Sequence, residues 1–308
     1  MYTEKIIVGK DTEYPLNGLL TLPDGAAGSV PAVVMVHGSG PSNMDEKVMK
    51  LTPFKDLAEG LALRGVASIR YDKRTFKYGR KMTKLQAMSV RQETIEDALM
   101  ALDLLKNDTR IDPSRIWVLG HSMGAMLAPR IAAEWGQAKG VVMLAGTPYR
   151  LEDIVLRQLK QAQDEGNPLL CFVMGMQNKK YAKLFDGLYG LSDDEAVSRK
   201  FAGNVSLYYF KEMGKRTASD YLLAADYPAL ILQGGKDFQV LEDVDLKAFR
   251  EQLADRPDTE FKVYPNLNHC FVDSLGGNIL KVKKEYGVER HIGEEVFDDI
   301  AGFIQNNN

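Results

Sequence analysis

Short apolar, β-branched runs alternate along the chain with segments whose apolar residues recur every three or four positions. The first pattern predicts buried strands and the second predicts helices with one face on a core. Their alternation predicts an α/β fold, a mostly parallel sheet flanked by crossover helices. Strands are expected over 32–36, 66–71, 116–119, 141–144, 229–232 and 261–264, with an antiparallel hairpin over 5–8 and 18–22. Helices are expected over 54–64, 94–106, 123–135, 244–253 and 293–304.

The alternation lapses between 148 and 227, where the sequence reads as helical or irregular, with helical stretches over 151–163 and 193–201 and no strand. Structureless loops of that length are uncommon in compact domains, so the stretch predicts a helical insertion lying over the sheet as a cap. The expected organisation is a core of 1–147 and 228–308 with a cap of 148–227. The apolar run 169–176 needs burial against the core or a ligand, and Leu170, Phe172 and Met176 are the residues expected to line a ligand pocket.

Composition narrows the classes. The 308 residues are 45% hydrophobic and 26% charged, which excludes a disordered or low-complexity chain. Lys and Arg number 39 against 42 Asp and Glu, a balance unsuited to a protein that mainly neutralises nucleic-acid phosphates or coats an anionic membrane. Two cysteines, Cys171 and Cys270, can supply neither a disulfide framework nor a structural zinc site, and no metal is expected. No window approaches the roughly 20 apolar residues that cross a bilayer, and residues 1–10 lack the apolar run of a signal peptide. The expectation is a soluble, cytoplasmic protein.

The chemistry is carried by Gly120-His121-Ser122-Met123-Gly124, directly after the strand over 116–119 and directly before the helix over 123–135. In that context a Gly-x-Ser-x-Gly segment forms a sharp turn that lifts the serine hydroxyl above the sheet edge. Its glycines avoid collisions with the turn and the neighbouring strand. A serine hydroxyl attacks a carbonyl only when a base accepts its proton and a third group orients that base. Four histidines compete: His121 lies inside the turn, His37 at an early strand end, His291 in a charged segment, and His269 in the loop 265–271 after the last strand. His269 is placed to reach Ser122. Asp237, closing the strand-to-glycine turn 232–237, gives the chain order Ser, Asp, His, with Asp153 as the less favoured acid.

Acyl transfer also needs donors for a developing oxyanion. The amide of Met123 at the helix start is one, and the loop His37-Gly38-Ser39-Gly40-Pro41 offers another, for which Ser39 is chosen over Gly38 and Gly40. A basic run, Arg70, Lys73, Arg74, Lys77, Arg80, Lys81 and Lys84, follows the strand ending at Tyr71. It reads either as a solvated loop or as an attractor of anionic substrate.

In these features the sequence resembles the α/β-hydrolases, within them the dienelactone-hydrolase and serine-aminopeptidase-like branch that contains many small esterases. The resemblance spans nearly the whole chain: the loop at Ser39, Tyr71-Asp72-Lys73-Arg74, the turn at Ser122, the Gly-x-x-Asp turn at Asp237, and Asn268-His269. It implies a carboxylic-ester hydrolase for small-molecule esters with Ser122, Asp237 and His269 as triad, a variable cap, and no cofactor. Serine rather than cysteine at 122 argues against a lactone hydrolase proper. An aminopeptidase or amidase would use the same triad but needs an acidic pair for a peptide amine, for which Asp193, Asp194 and Glu195 are candidates. A non-catalytic binding protein is disfavoured by the complete triad.

Overall fold

The computed structural model describes residues 1–25, 30–85, 87–203 and 205–307. In chain order the strands are β1 (Tyr2–Val8), β2 (Leu16–Leu22), β3 (Val30–Val36), β4 (Ala67–Tyr71), β5 (Ile111–His121), β6 (Gly140–Leu144), β7 (Lys200–Ala202), β8 (Val205–Ser206), β9 (Ala229–Gly234) and β10 (Thr259–Tyr264). All except β7 and β8 form one sheet in the order β1-β2-β4-β3-β5-β6-β9-β10. β2 runs antiparallel to β1 and β4, and the other neighbours are parallel.

The central strands are apolar without alternation because both sheet faces are covered. Val34, Val36, Val118 and Met143 face one core, packed against α3 (Glu96–Lys106) and α4 (Met123–Trp135). Val33, Met35, Trp117 and Leu144 face the other, against α1 (Pro53–Ala62) and α12 (Glu294–Asn306). The predicted single helices of 94–106 and 244–253 are each wound wide at the start, as π-turns over Arg91–Ile95 and Glu242–Leu246, the second leading into α10 (Lys247–Gln252). The basic run is not a loop. Arg70 lies in β4, Arg74, Lys77, Arg80 and Lys81 lie in α2 (Arg74–Met82), and Arg70, Lys73 and Arg74 are buried.

Between β6 and β9 lie α5 (Leu151–Glu165), α6 (Pro168–Phe185), α7 (Asp193–Ser198), α8 (Leu207–Gly214) and α9 (Ala218–Leu223), while α11 (Val282–Tyr286) precedes α12. Two expectations for this insertion need correction. The β7–β8 hairpin stands where no strand was read, because two- and three-residue strands are too short to display a period. The apolar run 169–176 is not buried either. Asn167 caps α6 by accepting from the amide of Leu170 at 3.0 Å, Pro168 opens the helix, and the C-terminal part packs inward through Tyr181 and Phe185 against Phe201 and Phe210. The N-terminal part turns outward: Leu169, Phe172, Val173 and Met176 are 75, 65, 40 and 58% exposed. Among the described residues no helix is long and apolar enough to cross a membrane.

Candidate active site

β5 ends at His121 and α4 begins at Met123, so Ser122 alone makes the turn and adopts φ 54°, ψ −119°. A serine held there stores strain, which the packing around it must enforce. The packing is tight. A Cβ on Gly124 would stand 2.0 Å from the Val36 carbonyl oxygen, and one on Gly120 would stand 2.2 Å from that of Gly124. Only glycine fits at either position, and the Ser122 amide is tied to β6 through the Leu144 carbonyl at 2.8 Å.

The acid and base arrive from adjacent strand ends. Asp237 follows β9, and its Oδ1 accepts from the amides of Gln239 at 2.7 Å and Val240 at 3.0 Å. Its Oδ2 is left 2.7 Å from Nδ1 of His269, in the loop after β10. Asn268 shapes that loop, accepting from the Cys270 amide at 2.9 Å and donating to the buried Glu285 at 2.6 Å. With Nδ1–H given to Asp237, Nε2 of His269 carries the free lone pair. His269 and Ser122 line one cavity of about 310 Å³.

The remaining histidines are engaged elsewhere. His121 points into the protein, with Nδ1 3.0 Å from Glu46 and Nε2 donating to the His269 carbonyl at 2.8 Å. His37 bonds the Asn43 carbonyl at 3.0 Å, and the largely exposed His291 pairs with Asp56 at 3.1 Å. Asp153 is exposed in the first turn of α5.

Ser39 and Met123 line a second, larger cavity of about 460 Å³ that also contains Ser122. Met123 is the first residue of α4, where amides lack intrahelical acceptors and the helix dipole favours negative charge. Gly38 passes close beside the serine: a Cβ there would stand 3.2 Å from that of Ser122. The larger cavity is roofed by the insertion, through Leu151, Ile154 and Val155 of α5, Phe201 and Val205 of the hairpin, and Tyr209 and Phe210 of α8. Leu170, Phe172 and Met176 line neither cavity: Phe172 and Met176 lie on the outward face of α6, and Leu170 is half-buried. No member of the basic run lines either cavity. Arg70 pairs with Asp45, Lys73 with Glu93, and Arg74 with Asp97 and Glu96, so these three members of the run are engaged in buried pairs, while Lys77, Arg80, Lys81 and Lys84 are exposed.

Behind the site lies a buried polar network. Burial alone would push the Glu46 carboxyl up and the His121 imidazole down, but each holds the other charged: Glu46 titrates below its usual range and His121 above. Burial pushes the Cys270 thiol well up, which leaves it an inert neighbour of His269. His37 differs. Burial, opposed by Glu46 and assisted by Lys73, lowers it from 6.5 to about 4. Between those values the unfolded chain binds a proton that the folded chain refuses, so stability falls as the pH falls through that window. The His37 contribution is expected to drop by about 2 kcal/mol from pH 7 to pH 5. Urea unfolding of the native protein and of His37→Gln at both pH values checks this. The difference between the two proteins isolates His37 from His121, whose raised value acts in the opposite direction.

Residues 31–273 match the family model described as serine aminopeptidase, S33. The chain belongs to that family of α/β-hydrolases. Within it, the chain is 37% identical over 289 residues to esterase EstD of Thermotoga maritima, a match covering 94% of this chain but 65% of that protein. The chain thus spans less than two thirds of its relative's length. Among solved structures, the family fold is shared by Est1E from Butyrivibrio proteoclasticus, with TM-score 0.58, 16% identity and 98% of each chain covered. It is shared also by the Pyrococcus furiosus esterase PF2001, with TM-score 0.60, 19% identity, and 99% of this chain and 91% of that one covered.

The sequence missed Glu46 and Lys73. Nothing in the pattern of the loop 37–50 marks Glu46 as buried, since its partners His121 and Gly38 meet it only in three dimensions. The basic run hid Lys73 among lysines that reach solvent.

Proposed function

We propose that this S33-family protein hydrolyses carboxylic esters of small molecules through an acyl-enzyme on Ser122. The observation that carries the reading is the Asp237–His269 pair at 2.7 Å, opening on the cavity that contains the strained Ser122. Nε2 of His269 takes the hydroxyl proton as Oγ attacks the ester carbonyl, and Asp237 stabilises the imidazolium. The amides of Met123 and Ser39 receive the oxyanion. The imidazolium then protonates the departing alcohol, and His269 activates the water that releases the acid.

The two cavities meet at Ser122 and divide the substrate. His269 lines only the smaller, so the alcohol it must protonate lies there, and the acyl group lies in the larger, apolar cavity. On this reading residues 148–227 act as the cap that sets acyl preference. Filling the larger cavity with Val155→Phe is expected to lower kcat/KM for octanoyl relative to acetyl esters by about ten-fold or more, at little cost in Tm. Phe172→Ala, on the outward face of α6, should leave both unchanged. A chain-length profile of p-nitrophenyl esters on the two variants checks this.

The aminopeptidase alternative gains no support from the insertion's acids. Asp193 pairs with Lys211, Glu195 caps α7 with Ser192, and neither they nor Asp194 line a cavity. The acids that do line the cavities are engaged: Glu93 with Lys73 and Tyr209, Glu46 with His121. The relative named an esterase favours the same reading. A panel of p-nitrophenyl esters beside aminoacyl anilides tests it: turnover of esters is expected, and turnover of anilides alone would overturn it.

A further inference from the structure

Lys73, at the start of α2, is 1% exposed and reaches into the protein instead of solvent. Its ammonium donates to the Gly38 carbonyl at 2.8 Å and lies 3.2 Å from Glu93. The amide of the same Gly38 donates to Glu46 at 2.7 Å. One glycine therefore has both of its backbone polar groups held by buried charges.

The peptide unit joining Gly38 to Ser39 is planar and trans, so the Gly38 carbonyl and the Ser39 N–H point in opposite directions. Lys73 lines neither cavity, whereas Ser39 lines both, together with Ser122. Holding the carbonyl toward Lys73 turns the Ser39 N–H to the opposite side of the peptide, away from the buried ammonium. We infer that Lys73 is a positioning residue for the oxyanion donor of Ser39, an inference that rests on the proposed role of Ser122.

The ammonium acts in two ways. It fixes the peptide plane against rotation about bonds that flank a glycine, the residue least able to fix itself. It also polarises the carbonyl, which strengthens the hydrogen bond that the N–H at the other end of the unit can donate. Glu93 balances the buried charge, with Tyr209 donating to its other oxygen. Glu46 grips the Gly38 amide while paired with His121, whose ring holds the His269 carbonyl, so the oxyanion loop and the loop of the base are braced by one network.

The test compares Glu93→Gln with Glu93→Gln/Lys73→Met, a background in which removing the lysine strands no carboxylate; Lys73→Met alone is measured alongside. Active sites are counted by phosphonylation of Ser122. For each protein, kcat and KM per active site are measured with p-nitrophenyl butyrate. The Ki of an alkyl trifluoromethyl ketone, which adds to the serine and places an oxyanion, is measured as well. Loss of Lys73 is expected to lower kcat about 10- to 100-fold, leave KM within about two-fold, and weaken the ketone by the same factor as kcat. An unchanged kcat per active site with unchanged Ki overturns the inference, even if Tm falls, because Lys73 would then serve folding alone. A loss confined to KM overturns it too. Failure of the native protein, labelled alongside, to be phosphonylated at Ser122 overturns the nucleophile reading instead, and this inference with it.

Discussion

Ser122→Ala is expected to fold with an unchanged Tm and to lose at least about 10⁴-fold in kcat for p-nitrophenyl esters, with KM little affected. The fold should survive because what holds Ser122 is backbone: its amide bonds the Leu144 carbonyl, and its carbonyl receives the amides of Ala125 and Met126. Oγ makes no capping bond to α4. Alanine is no more strained than serine at φ 54°, and it removes no volume that neighbours would collapse to fill. KM should hold because the residues of α5, the hairpin and α8 that roof the larger cavity are untouched. Thermal melts and steady-state kinetics on purified protein check this, and near-native kcat would remove Ser122 from the chemistry.

Asp237→Asn is expected to cost about 10³- to 10⁴-fold in kcat, again with the fold preserved. The local hydrogen bonds dictate which way the new amide turns. The amides of Gln239 and Val240 both donate to Oδ1, so the carbonyl oxygen of asparagine must stay there and its NH₂ must face His269. A donor at that place requires Nδ1 of His269 to accept, which moves the ring proton to Nε2 and leaves no lone pair for the Ser122 hydroxyl. The loss should lie in kcat. The same substitution at Asp153, exposed on α5, is expected to change nothing. The two variants side by side decide which acid serves the base.

The parts of this site that the sequence made legible are those fixed by local geometry. The glycines at 120 and 124 mark the turn because a Cβ at either would overlap backbone, and the chain order Ser122, Asp237, His269 follows from three strand ends at one sheet edge. The core strands were legible because the sheet is covered on both faces and the runs are apolar throughout. What escaped was decided by tertiary contact. Glu46 and Lys73 are charged residues in polar segments, and only the fold reveals them, with His121, as buried partners behind Ser39 and His269. Phe172 and Met176 failed in the other direction, since apolar residues at helical spacing promise burial but do not say against what. The larger cavity draws on α5, β7, β8 and α8, four separate elements whose convergence no single window of sequence displays.

Ester hydrolysis by an activated Ser122 can be followed through phosphonylation of that serine. The protein is titrated with a p-nitrophenyl alkylphosphonate, ester hydrolysis is assayed at each addition, and the modified residue is located by peptide mass spectrometry. A single phosphonyl group on Ser122 is expected, with activity lost in proportion to its incorporation and no labelling of Ser122→Ala. Hydrolysis that persists after Ser122 is fully modified, or inactivation that tracks a label on another residue, would contradict it.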